Sequence, residues 1–87
     1  MEEWEVDELI KATVNRFLPR IPPRYVRGFE RVLHAGEFSM AVDDLVLTLV
    51  KNKVPVTHSE QQDLRRLLDH LNRPTSKLDE LTMDPQS

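Results

Sequence analysis

The stretch Phe38-Ser39-Met40-Ala41-Val42-Asp43-Asp44-Leu45-Val46-Leu47-Thr48-Leu49-Val50 decides the fold. Its residues Phe38, Ala41, Val42, Leu45, Val46, Leu49 and Val50 fall at i, i+3, i+4, i+7, i+8, i+11 and i+12. That is the spacing of one face of an α-helix. The β-branched residues would allow a strand locally, but so long an unbroken helical period excludes one. A continuous apolar face must be covered by other elements, so this helix is expected at the centre of the fold.

Toward the N-terminus, Gly36 is expected in the left-handed conformation that ends a preceding helix. That second helix is expected over about residues 23–35, with Val26, Phe29, Val32 and Leu33 as its apolar face. Pro23 suits a first helical turn, where its missing N–H would have no partner. Pro19, Pro22 and Pro23 make residues 18–23 a stiff, extended connector. A first helix over about residues 3–18 is expected to bury Trp4, Leu9, Ile10, Val14, Phe17 and Leu18. The early carboxylates, Glu2, Glu3 and Glu5 among them, complement the positive end of its dipole.

Toward the C-terminus, Asn52, Lys53 and Pro55 stop the third helix. Thr57-His58-Ser59-Glu60 reads as a capping box, the threonine capping and the glutamate reaching back. Leu64, Leu67, Leu68 and Leu71 then form the buried stripe of a fourth helix, closed by Pro74. The polar remainder carries one candidate helical turn at Ser76. The fold class expected is all-α: a compact, four-helix bundle-like single domain over residues 1–74, with a flexible or weakly helical tail over 75–87.

Composition agrees. Eighty-seven residues allow one modest core. With 39% hydrophobic and 31% charged residues, the chain is globular rather than disordered. It has no cysteine, which excludes disulfides and thiolate zinc sites. No apolar run approaches the roughly 20 residues of a membrane-spanning helix. The acidic start is opposite in charge to a secretory signal, so the cytoplasm is the expected location and no membrane is expected as a partner.

Catalytic patterns are missing from the sequence. His34, His58 and His70 show no HxxxH or HExxH spacing. There is no Gly-x-Ser-x-Gly turn and no glycine-rich phosphate loop. Asp43 and Asp44 are adjacent, so on a helix they point about 100° apart and cannot share a proton readily. The expectation is a protein that is not an enzyme, with no catalytic residue, no metal and no cofactor.

Two surfaces are candidates for binding. With Phe38, Leu45 and Leu49 facing the core, Met40 and Leu47 project to the opposite side, flanked by Asp43 and Asp44. An outward apolar pair bordered by carboxylates is a pattern of protein-binding patches. The competing reading buries the third helix all round, with the first helix covering Met40 and Leu47; their exposure separates the two. The second surface is Arg20, Arg24, Arg27 and Arg31, spaced four, three and four apart. These could contact phosphates, or they could be an ordinary solvated face. The net charge of -3 favours the latter, and nucleic acid is not the expected partner.

From Gly28 to Leu71 the chain resembles the MafI-type family of bacterial immunity proteins, which protect a producer against polymorphic or contact-dependent toxins. The resemblance is carried by Gly36, Glu37, Ala41 and Leu45, then by the turn Val54-Pro55-Val56-Thr57 into a last helix. It implies a cytoplasmic inhibitor that binds a cognate toxin domain one-to-one and occludes it. Many such toxins are nucleases, whose basic surfaces attract acidic inhibitors. On this reading the partner-binding residues are Glu37, Met40, Asp43, Asp44 and Leu47, with Glu2, Glu3 and Glu5. The alternatives are a small nucleic-acid-binding regulator using the four arginines, or a helical adaptor or dimerisation module.

Overall fold

A computed structural model of the chain describes residues 2–85. Among these, four α-helices form: α1 (Glu3–Phe17), α2 (Val26–His34), α3 (Phe38–Lys51) and α4 (His58–His70). Short 3₁₀ turns lie at Leu18–Arg20, Pro23–Tyr25 and Ser76–Glu80, and two short strands at β1 (Pro55–Val56) and β2 (Thr82–Met83). The all-α, four-helix bundle-like class is therefore the observed one. Helix α3 is central: it packs against α1, α2, α4 and the turn Ser76–Glu80. Its residues Ala41, Val42, Leu45, Val46 and Leu49 are all buried.

Helices α2, α3 and α4 end in the same way. After α2, Gly36 has φ +76°, the N–H of Gly36 donates to Leu33 O and that of Glu37 to Val32 O, each at 3.0 Å. After α3, Lys53 takes φ +52° and the N–H of Val54 donates to Leu49 O at 3.1 Å. After α4, Asn72 takes φ +56° and the N–H of Arg73 donates to Leu68 O at 2.8 Å. All three are the same left-handed termination, which satisfies the last carbonyls of the helix. Only the first uses the residue for which that conformation is free of steric cost.

The α1 core residues are Val6, Ile10, Thr13, Val14 and Phe17. Trp4, expected inside, is 67% exposed. It precedes Val6 by two residues and so points about 200° away from the buried stripe. The connector after α1 is also less extended than expected. Residues 18–20 continue as a 3₁₀ turn, because proline is tolerated at the first positions of a helical turn, and only Ile21 and Pro22 are extended.

The segment expected as a flexible or weakly helical tail carries a 3₁₀ turn at Ser76–Glu80 and packs on the helices (Gln86 and Ser87 lie outside the described residues). Leu78 is 0% exposed and Leu81 7%. In a 3₁₀ turn, positions three apart eclipse, so these two leucines share one face and enter the same core as the helices. Gln61 Nε2 donates to Leu78 O at 3.1 Å. Strands β1 and β2 pair in parallel, Pro55 with Thr82 and Val56 with Met83, and the N–H of Asp84 extends the ladder to Val56 O at 2.8 Å.

Candidate partner-binding face

Met40 and Leu47 are 50% and 49% exposed, so α1 does not cover them. They are seven residues apart, nearly two full turns, and lie on one line along the outside of α3. Asp44 and Lys51 fall within about 60° of that line, on one side of it, and Asp43 on the other. Glu37, the residue before α3, is exposed and makes no capping hydrogen bond with its side chain. Two grooves border the line. One, about 350 Å³, lies between α2 and α3; the other, about 360 Å³, lies between α3, the end of α4 and the turn after it. Leu47 lines both, so it is the ridge between them.

The two aspartates separate in role. Asp43 accepts from Arg73 Nε at 2.7 Å. The left-handed Asn72 turns Arg73 back toward α3 and makes this pairing possible. Asp44 has no ion pair or hydrogen bond on its carboxylate among the described residues. Desolvation against the protein surface, helped by the charge of Asp43, raises its pKa above the ordinary aspartate value. A charge reversal at Asp43 would disturb the fold as well as the surface, whereas one at Asp44 would alter the surface alone.

The acidic N-terminus is not joined to this face by any hydrogen bond or ion pair among the described residues. Glu2, Glu3 and Glu5 are exposed at the start of α1, where the Glu2 N–H donates to Glu5 Oε1 at 3.4 Å. The local role of helix-dipole stabilisation accounts for them.

The arginine set comes apart. Arg20 lies in the 3₁₀ turn after α1 and Arg24 in the 3₁₀ turn before α2, so neither is on α2, and Arg20 is committed to the fold. Its Nη1 and Nη2 donate to the Glu60 carboxylate at 2.7 and 3.1 Å, and Nη2 also donates to Pro55 O at 2.6 Å. The guanidinium stacks 4.5 Å from the Phe17 ring centre. Arg20 therefore drops out of the expected phosphate-contacting stripe. Arg24 lies 4.8 Å over the Tyr25 ring and donates to the phenol oxygen at 3.4 Å, which lowers the phenol's pKa. Arg27 and Arg31 are exposed on α2 beside Glu30.

The three histidines are exposed. Among the described residues no group of three or more His, Asp or Glu side chains converges to hold a metal ion. Among the described residues no helix is long and apolar enough to cross a membrane.

Sequence reasoning missed Gly28 and Lys51. Both line the α2–α3 groove. Gly28 is exposed within α2, its φ is not positive, and a Cβ built there meets nothing within 4 Å. Nothing inside the chain requires a glycine at this position. Gly28→Ala is accordingly expected to raise the unfolding free energy by about 0.5–1 kcal/mol, read by urea denaturation. A loss of stability would mean that Gly28 has a backbone role in the fold.

No protein-family model, curated protein or solved structure matches the chain. The functional reading therefore rests on the geometry of the face and on the residues of the sequence.

Proposed function

We propose that this chain is a non-catalytic binding protein whose outer α3 face covers a partner protein. The observation that supports the reading most is the exposure of Met40 and Leu47 as one line on the central helix. Large apolar side chains so placed stay in contact with water, and a partner covering them would remove that surface from it. Acidic residues beside the apolar line suit a basic partner surface. The resemblance of residues 28–71 to immunity proteins supplies the partner class: a toxin domain, foremost a nuclease, bound one-to-one in the cytoplasm of the producing cell.

The nucleic-acid reading is weaker, since Arg20 is held by Glu60 and only Arg24, Arg27 and Arg31 remain.

The test is to mix the purified chain with the toxin domain encoded by the adjacent reading frame. A stable complex of one-to-one mass by light scattering, with loss of the domain's activity, is expected. No complex at micromolar concentrations, or a chain that instead binds RNA or DNA with steep salt dependence, would overturn the reading.

A further inference from the structure

The groove between α2 and α3 is polarised along its length. Phe29 and Val32 from α2 and Leu47 from α3 make its apolar lining. Asp44 and Lys51 mark its two ends: seven residues apart on α3, they lie on one side of the helix about 10 Å apart along its axis. The Lys51 end is cationic, with Tyr25 and its bound Arg24 beside it. The Asp44 end is anionic, and its carboxylate has no partner among the described residues, whereas Asp43 is occupied by Arg73. Asp44 is exposed, so an arriving cation reaches its carboxylate without displacing any other residue of the chain. The rim of the groove stays open because Gly28 carries no side chain, and nothing inside the chain accounts for that glycine.

We propose that this groove is a socket for an arginine side chain of the partner protein. The aliphatic stem lies along Phe29, Val32 and Leu47, and the guanidinium meets the Asp44 carboxylate. Asp44, not its neighbour Asp43, is then the recognition acid, and Gly28 is the residue that keeps the entrance clear. The assignment rests on the reading of the outer α3 face as a protein-binding surface and names the chemistry that it selects. A guanidinium fits better than an ammonium because its planar fork can engage both carboxylate oxygens while its stem packs on apolar surface.

The test uses the full chain, isotopically labelled, and two capped tripeptides: acetyl-Gly-Arg-Gly-amide and its citrulline counterpart, which has the same shape without the charge. Amide resonances of Gly28, Leu47 and Thr48 are expected to shift saturably with the arginine peptide at millimolar concentrations. The citrulline peptide is expected to bind about two- to five-fold more weakly, the range that a single charge-assisted contact at an exposed site contributes. Asp44→Asn should reduce arginine-peptide binding to the citrulline level. Asp43→Asn should change it less than Asp44→Asn does, because the Asp43 carboxylate is held by Arg73 and does not line this groove. Gly28→Gln should weaken both peptides by blocking the entrance.

Equal binding of the two peptides, no saturable shift, or equal effects of Asp43→Asn and Asp44→Asn would overturn the socket. Any of these would leave the α3-face reading to be judged by complex formation with the toxin domain, so the two failures are distinguishable.

Discussion

Leu78→Ala is expected to lower the free energy of unfolding by about 3 kcal/mol, within the range for a fully buried leucine cut back to alanine. For a chain of this length, total stability is on the order of 4–13 kcal/mol, so the loss is large. The reason is where Leu78 sits. It is 0% exposed, its carbonyl is held by Gln61, and with Leu81 it closes the side of the core between α3 and α4. Removing residues 75–87 deletes both leucines and the β1–β2 pairing together, and that truncated chain is expected to lose its cooperative transition. The measurement is urea denaturation followed by far-ultraviolet circular dichroism. Lys77→Ala, exposed on the same turn, should stay within about 0.5 kcal/mol of the parent. Equal midpoints for the Leu78 and Lys77 variants would show that the segment after Pro74 does not belong to the core.

Glu60→Ala is expected to cost about 2–3 kcal/mol, since it removes a capping partner and an ion pair at once. Glu60 is 8% exposed. Its carboxylate accepts from the Thr57 N–H at 3.0 Å and from both terminal nitrogens of Arg20. It thereby fastens the start of α4, the β1 segment and the turn after α1. The Arg20 side chain is 35% exposed, so water relieves part of the cost of leaving it unpaired, and the figure sits below that for a fully buried pair.

The pair also gives a pH signature. The Arg20 hydrogen bonds hold the Glu60 pKa below the usual glutamate value, against the opposing effect of burial. A depressed folded-state pKa contributes stability that is full above the unfolded pKa and lost as pH falls through the folded one. Stability should therefore decline as the solution is acidified below the ordinary glutamate range, and Glu60→Gln should flatten that decline. An unchanged acid limb in the Glu60→Gln protein would mean that other carboxylates set it.

How much of this was legible beforehand depended on how local the signal was. The period of α3, the Thr57–Glu60 capping box and the Gly36 termination are written in residues within a turn of one another, and each appears as read. The terminations at Lys53 and Asn72 follow the same geometry, but lysine and asparagine do not announce a left-handed backbone as glycine does. Trp4 was misplaced because apolar character was counted ahead of phase. The turn at Ser76 was legible, but the burial of Leu78 and Leu81 was not, because two apolar residues in a polar stretch do not say which surface they pack on.

The candidate site divides in the same way. Met40 and Leu47 could be placed outward by angle alone, because α3 is regular. The separate roles of Asp43 and Asp44 could not, because they depend on Arg73, thirty residues further along the chain. The commitment of Arg20 to Glu60 is likewise a contact across forty residues. Spacing along the sequence made Arg20 look like one of a stripe; only the fold removes it.

The central claim is that the outer line of α3 binds a protein partner. The most direct measurement is the affinity of a Met40→Ser/Leu47→Ser double variant for the proposed toxin-domain partner, by calorimetry, with Trp4→Ser as a control. Among the described residues Trp4 is the most exposed large apolar side chain, and it lies on α1 rather than α3. The result expected is a loss of about 30-fold or more in the double variant, the scale of one interface hot spot, with helical content unchanged and the Trp4 variant binding like the parent. A double variant that binds as tightly as the parent, or a Trp4 variant that alone loses binding, would contradict the claim.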